Sequence, residues 1–191
     1  MRLDDKLNLV LPVVRDDGST IYIHSTPISR DVFETYFLVI SKTFSEIYTE
    51  GLNVVSGPRI AAMMLRKVAT EMGIWDTVGG VRDGLMQEIR RLSNVVYPAD
   101  NGWATLPLSV AAERKIIDSE DIWEAENTIV FFIVNSTMHK KRMMPSVLER
   151  MRDLWAIQTS QLNSTGFLAS LATSTETANS GGTAVASSVV Y

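Results

Sequence analysis

Apolar residues occupy every second position over Lys6–Val14 and again over Thr20–Ser25, whereas most of the remaining chain carries them at steps of three and four. Strict alternation is typical of a half-buried strand, and the longer step places side chains on one face of a helix. The pattern therefore predicts a mostly α (α+β) fold, with an N-terminal β-hairpin over residues 1–25 packed on a five- to six-helix bundle. We expect residues 1–172 to form a single helical domain.

The predicted hairpin has two strands, Lys6–Val14 and Thr20–Ser25. Asp17 and Gly18 lie between them and are typical of a tight hairpin turn. Pro12 has no backbone N–H, so it indicates that the first strand has a free edge. Because an isolated hairpin is only marginally stable in water, we expect it to lie on a helix or to extend a neighbouring sheet.

The stretch from Ser29 to Gly51 is predicted to be the helix around which the others pack. Ser29 suits an N-cap, and Gly51 suits a left-handed stop at the other end. The apolar face is wide, so we expect this helix to be buried on more than one side. Its apolar residues are Val32, Phe33, Tyr36, Phe37, Val39, Ile40, Phe44, Ile47 and Tyr48.

Three later segments shape the rest of the prediction. Pro58 suits the first turn of a second helix that ends at Gly73. Ile129–Val134 has the β-branched and aromatic content of a buried strand, but the helical phase of the residues before it favours a buried helix. Val95–Leu106 contains a proline and the turn group Asp-Asn-Gly, and is predicted to be a loop.

The last 19 positions, Thr173–Tyr191, consist largely of Ser, Thr, Ala and Gly with almost no charge. Such a composition cannot bury enough apolar surface to fold alone and predicts a flexible tail. Its apolar end could dock as a strand on a partner or fray as an ordinary terminus. Met143 and Met144 follow a basic run and could form an adaptable partner surface or fill a core. The candidate partner-binding residues are therefore Met143, Met144, Val189, Val190 and Tyr191.

Composition narrows the functional classes. The formal charge of -4 and the pI near 5.2 argue against a dominant nucleic-acid surface. The absence of cysteine excludes disulfides and thiolate chemistry. The first residues are acidic where a signal peptide would be apolar, and no apolar run approaches the length of a membrane span. These features predict a cytoplasmic protein without membrane contact.

No motif in the sequence predicts catalysis, a cofactor or a metal site. The two histidines, His24 and His139, have no spacing that makes a metal pair or a triad. Gly79–Gly84 is rich in glycine but lacks the Lys-Ser/Thr ending of a phosphate-binding loop. The acids of Glu120–Glu126 suit the first turns of a helix, where they complement its dipole. We therefore expect a protein that is not an enzyme.

The segment His24–Ser45, HSTPISRDVFETYFLVISKTFS, with an N-terminal hairpin, a helical body and a small-residue tail, resembles tail assembly chaperones of long-tailed (siphovirus-like) bacteriophages. The resemblance covers about Met1–Leu171 and is one of organisation. It implies a non-enzymatic protein of the host cell cytoplasm, acting in virion morphogenesis. Such a protein binds the tape measure protein and recruits tail tube subunits, the major tail protein.

Two other classes compete with this hypothesis. The first is a structural virion protein, such as a tail completion, connector or tail subunit, whose hairpin and tail are ordered by neighbouring copies. The second is a small hydrolase or nucleotide-binding enzyme, for which the sequence offers no set of catalytic or nucleotide-binding residues. The chain could form a homo-oligomer both as a tail assembly chaperone and as a structural virion protein.

Overall fold

The computed structural model describes residues 7–15, 17–100, 102–139 and 142–171; the predicted tail, with Val189, Val190 and Tyr191, lies outside the described residues. One antiparallel sheet has the strand order β4-β3-β2-β1-β5. Its strands are β1 Asn8–Val14, β2 Thr20–Ser25, β3 Ser93–Ala99, β4 Gly102–Pro107 and β5 Gln158–Ser160. The helices are α1 Arg30–Thr49, α2 Asn53–Glu71, α3 Gln87–Arg91, α4 Leu108–Glu113, α5 Ser119–Met138, α6 Met144–Trp155 and α7 over 164–171. The predicted α+β class is confirmed.

The N-terminal hairpin forms as predicted, but it does not stand alone. β1 and β2 pair from Leu9↔Ser25 to Val14↔Thr20. The turn closes through the Gly18 N–H, which donates to the Arg15 carbonyl over 2.9 Å, and Gly18 takes the positive φ of 79° that its position requires. β2 also pairs with β3, and β1 with β5, so the hairpin is the centre of a five-stranded sheet.

The prediction that Val95–Leu106 is a loop is wrong, because this segment supplies most of β3 and β4. The two strands pair from Asn94↔Pro107 to Ala99↔Gly102. Pro98 is tolerated because β2 pairs with β3 only as far as Val96, which leaves the edge beside Pro98 free. β3 and β4 therefore form a second hairpin.

The two faces of the sheet are covered by different parts of the chain. Leu9, Leu11, Ile21 and Ile23 are buried in the main core with the helices. The opposite face carries a smaller cluster around Val10, Val96, Tyr22 and Trp103, which α7 covers. The Phe167 ring of α7 lies 5.5 Å from that of Tyr22, in an edge-on arrangement. The sheet thus lies between a thick helical layer and one short helix.

The centre of the helical layer is α5, so the prediction that Ser29–Gly51 holds this place is wrong. Every residue of α5 from Asn127 to Asn135 is buried. α1 buries one face only, and Phe37 and Leu38 are 49% and 57% exposed. The caps of α1 are as predicted, since the Ser29 hydroxyl accepts the Val32 N–H over 3.3 Å and Gly51 has a φ of 72°. The prediction of a buried helix over Ile129–Val134 is confirmed.

α2 begins at Asn53, so Pro58 lies inside this helix and not at its first turn as predicted. Proline cannot donate to the carbonyl four residues earlier, which here belongs to Val54. The Trp155 indole N–H donates to that carbonyl over 2.9 Å. On the next turn, the Asn127 side-chain oxygen accepts the Ala62 N–H over 2.9 Å. Side chains from α5 and α6 therefore satisfy the backbone groups around the proline.

Candidate functional site

The two histidines hold parts of the fold together and do not face each other. His24 is 1% exposed, and its Nε2 lies 2.9 Å from the Leu162 carbonyl, which also accepts the Asn8 amide over 2.8 Å. These bonds hold the segment that leads into α7. His139 follows α5, and its ring lies 5.2 Å from the ring of Phe44 on α1.

The acidic residues at the start of α5 occupy the N-terminal turns of this helix. Asp118 is the N-cap, and its carboxylate accepts the N–H groups of Glu120 and Asp121 over 2.9 and 2.8 Å. Glu126 pairs with Arg90 over 2.5 Å. Within the described ranges, no group of three or more acidic or histidine side chains is arranged to hold a metal ion.

The glycine-rich stretch Gly79–Gly84 serves helix packing. The Tyr36 hydroxyl of α1 donates to the Gly79 carbonyl over 2.8 Å. A side chain at Gly84 would collide with the same hydroxyl, so the tyrosine requires glycine there. The segment continues as a π-helix, Val81–Met86, into α3. A packing role for these glycines therefore accounts for the pattern.

The two methionines predicted to bind a partner differ in exposure. Met143 is 48% exposed just before α6, whereas Met144 is half-buried at its first position. Further along α6, Val147 and Met151 are buried in the main core. Met143 is thus the member of the pair that is open to a partner.

The largest feature missed by the sequence analysis is an aromatic stripe along one flank of α1, which is half-buried against the core except at Phe37, where it reaches solvent. We define the α1 stripe as Phe33, Phe37, Phe44 and Tyr48, which lie at helical spacing over about 22 Å. The Phe33 and Phe37 rings meet edge-on at 5.7 Å, and the Phe44 and Tyr48 rings lie 4.6 Å apart. Leu38 extends the exposed apolar surface beside Phe37.

The two ends of the α1 stripe differ. At the C-terminal end the Tyr48 hydroxyl donates to Asn135 of α5 over 2.5 Å, and burial raises the pKa of this tyrosine. At the N-terminal end Phe37 faces solvent beside Arg30 and Glu34, which form an exposed ion pair. The stripe thus has a fixed end and an open end. The sequence did carry a signal for this exposure. The apolar face of α1 is wider than the arc of a helix that packing on one side can cover.

A second surface lies at the edge of β1. β5 pairs with β1 only over Asn8–Val10, so the rest of that edge has no strand partner in the described residues. A cleft of about 200 Å³ opens there, between the edge and the beginnings of α2 and α5. Trp123 and Trp155 line it, and Trp123 is 44% exposed. Pro12 was the sequence signal for this edge.

Among the described residues, no helix is long and apolar enough to cross a membrane. Comparisons with protein-family models, with curated proteins and with solved structures found no match to this chain.

Proposed function

We propose that this chain is a bacteriophage tail assembly chaperone, which binds the tape measure protein and recruits tail tube subunits in the host cell cytoplasm. The observation that carries the proposal is the open end of the α1 stripe, where Phe37 and Leu38 are about half exposed on a regular helix. Isolated exposed apolar residues are ordinary, but a continuous stripe on one helix is typical of a protein-binding surface.

The form of the surface favours an apolar helical partner. Side chains spaced along one helix can contact a second helix laid beside it, as in helix-in-groove recognition. Aromatic side chains contribute much of the binding free energy in such contacts, and methionine adapts its shape to different partners. Met143 is 48% exposed, and we propose it as a further contact of the partner.

The roles of the polar residues also favour a protein that acts by binding a partner. The histidines, the acids of α5 and the glycine-rich stretch each serve the fold, through the Leu162 carbonyl, the α5 N-terminus and Tyr36. Each of these residues has a structural partner that accounts for its position. Phe37 and Leu38, by contrast, leave about half of their surface in solvent.

The test is co-expression of the chain with the neighbouring tape measure and tail tube proteins, followed by pull-down. We expect the double variant Phe37→Asp/Leu38→Asp to lose at least tenfold of the recovered tape measure protein. The matched control is Val78→Asp, because Val78 is an exposed apolar residue that lies outside the stripe. Melting temperatures of both variants should stay close to that of the unchanged chain.

Mass spectrometry of purified virions separates the proposal from its main alternative. A chaperone binds during assembly and should be absent from mature particles. Recovery of the chain at a fixed copy number would contradict the proposal and indicate a tail completion, connector or tail subunit.

Light scattering of the purified chain tests whether the α1 stripe instead joins two copies, in which case the Phe37→Asp/Leu38→Asp variant would be monomeric.

A further inference from the structure

The backbone of β1 shows which of its groups face the free edge. The Arg15 N–H donates to the Ser19 carbonyl over 2.9 Å, so the backbone groups of Arg15 point toward β2. Because the direction alternates along a strand, the groups of Asn8, Val10, Pro12 and Val14 point the other way. β5 lies opposite Asn8 and Val10, which leaves Pro12 and Val14 facing the cleft.

The chain itself prevents β5 from continuing along this edge. Ala156 ends α6 in a left-handed conformation, with φ of 52°, and its N–H donates back to the Arg152 carbonyl. The segment before β5 therefore turns away into α6. The free edge presents three hydrogen-bonding groups, the Pro12 carbonyl and the Val14 N–H and carbonyl. They match an extended segment of about three residues, which spans roughly 10 Å.

The walls of the cleft supply an apolar surface next to these backbone groups. Trp155 is held in place by its hydrogen bond to the Val54 carbonyl, and Pro58 of α2 lines the cleft beside it. Trp123 stands on α5 with much of its ring in solvent. Tryptophan in a preformed cleft is a frequent centre of binding free energy, because it buries a large area with little loss of conformational freedom.

The charges around the cleft favour a cation in the occupant. Asp121 and Glu124 line it against one guanidinium, that of Arg59, and neither acid forms an ion pair within the described residues. Burial and the negative charge of Asp118 raise the pKa of Asp121, and the positive charge of Arg15 offsets this rise only in part. A lysine or arginine side chain in the cleft would supply that compensation.

We propose that the β1 edge slot, formed by Pro12, Val14, Trp123 and Trp155, binds an extended segment of another protein by strand addition. The segment carries an apolar side chain for the cleft and a lysine or arginine for Asp121 and Glu124. Main-chain hydrogen bonds give such binding its affinity, and the flanking side chains give it specificity. The inference goes beyond the proposed function, since it holds for any partner with this chemistry and uses a surface separate from the α1 stripe.

The probe is a fluorescein-labelled, end-blocked peptide of sequence Thr-Val-Thr-Lys-Thr, in which the Val and Lys side chains lie on the same face of an extended segment. It is titrated with the full chain and followed by anisotropy. A second peptide has Glu in place of Lys. We expect saturable binding of the lysine peptide and at least tenfold weaker binding of the glutamate peptide. Absence of saturable binding of the lysine peptide, or equal binding of both peptides, would overturn the proposal.

Two variants of the chain test the backbone and charge contributions separately. Val14→Pro removes the outward N–H without removing a bond to β2, and should weaken binding of the lysine peptide about tenfold; Val14→Thr keeps the N–H and is its control. Glu124→Lys should reverse the preference between the two peptides. Circular dichroism and the melting temperature establish that each variant is folded. Unchanged affinity in Val14→Pro, or unchanged preference in Glu124→Lys, would contradict strand addition.

Further controls keep this inference distinct from the chaperone proposal. The Phe37→Asp/Leu38→Asp variant should bind the lysine peptide as the unchanged chain does. Failure of the tape measure pull-down with retained peptide binding would reject the chaperone role and leave the slot intact. Self-association that Val14→Pro abolishes, without peptide binding, would overturn the proposal and assign the slot to a second copy of this chain.

Discussion

α1 and α5 are both 20 residues long, yet they have opposite relations to the core. α1 carries more aromatic residues, but it leaves Phe37 and Leu38 in solvent. α5 carries two asparagines, Asn127 and Asn135, which are both fully buried. The exposed helix thus presents apolar side chains, and the central helix encloses polar ones. Apolar content alone therefore does not tell which helix lies at the centre.

The difference follows from what surrounds each helix. α5 packs against α2 and also contacts α1 and β1, and over Asn127–Asn135 the residues on all its sides are buried. A helix surrounded in this way can carry polar side chains only where each finds a partner. α1 packs with α2 and α5 on one side, and the α1 stripe runs along the margin of that side and is exposed at Phe37. Binding of a partner there would complete the burial that the sequence predicts.

The largest expected effect compares one phenylalanine from each helix. Phe131 of α5 is fully buried and touches the backbone of α2 so closely at Gly57 that no side chain would fit there. We expect Phe131→Ala to lower the free energy of unfolding by about 3–5 kcal/mol, because it leaves a cavity. Phe37→Ala should cost less than about 1 kcal/mol, since its ring is half exposed. Urea unfolding of both variants checks this, and equal losses would contradict the assigned roles of the two helices.

A second effect concerns the polar interior of α5. Asn127 accepts the Ala62 N–H next to the proline-containing turn of α2. Asn127→Ala leaves this part-buried N–H without its partner, and we expect a loss of about 1–3 kcal/mol in unfolding free energy. Lys42→Ala on the exposed side of α1 is the control and should change stability by less than about 0.5 kcal/mol. Thermal and urea unfolding provide the measurement; a loss no larger than that of the control would mean that the bond is not needed.

A smaller effect comes from the contact that joins the two helices. The Tyr48 hydroxyl of α1 donates to Asn135 of α5 over 2.5 Å. Tyr48→Phe keeps the ring and removes the donor, so we expect a loss of about 1 kcal/mol. Tyr36→Phe is the matched control, because its hydroxyl donates to the exposed Gly79 carbonyl, and it should cost less. A larger loss in the control would indicate that α1 is held mainly through its N-terminal half.

Much of the fold could be predicted from local patterns. The β1–β2 hairpin, the caps of α1 and the buried helix over Ile129–Val134 each depend on spacing within a short segment. The second hairpin was missed because Pro98 argues against a strand unless the neighbouring strand ends before it, as β2 does at Val96. The internal position of Pro58 was missed for a similar reason. Proline cannot donate to the Val54 carbonyl one turn earlier, and the hydrogen bond that replaces the missing one comes from Trp155, about a hundred positions away.

The candidate surfaces could be predicted only in part. Pro12 indicated a free edge on β1, but the walls of the slot come from α5 and α6, whose positions depend on tertiary packing. Met143 was selected from the sequence and is exposed, whereas Phe37 was assigned to the core. Exposure of an aromatic residue depends on how many neighbours reach it, and this number is not encoded in the helix that carries it.

The smallest expected effect lies at the exposed beginning of α5 and depends on pH. Burial, followed by the charge of Asp118, raises the pKa of Asp121 in the folded chain above its value in the unfolded chain. The folded state therefore holds the proton more tightly, and stability falls as pH rises from the unfolded to the folded pKa. We expect Asp121→Asn to stabilise the chain at pH 7 by less than about 0.5 kcal/mol, because solvent screens this partly exposed group.

The gain from Asp121→Asn should disappear below the unfolded pKa of about 3.9, where both states carry the neutral acid. Urea unfolding of the two chains at pH 7 and at a pH below that value measures the difference. Glu124→Gln is the control on the same helix. A lower stability of Asp121→Asn at pH 7 would mean that the favourable interaction of this carboxylate with the positive N-terminal end of α5 outweighs its burial and the repulsion from Asp118.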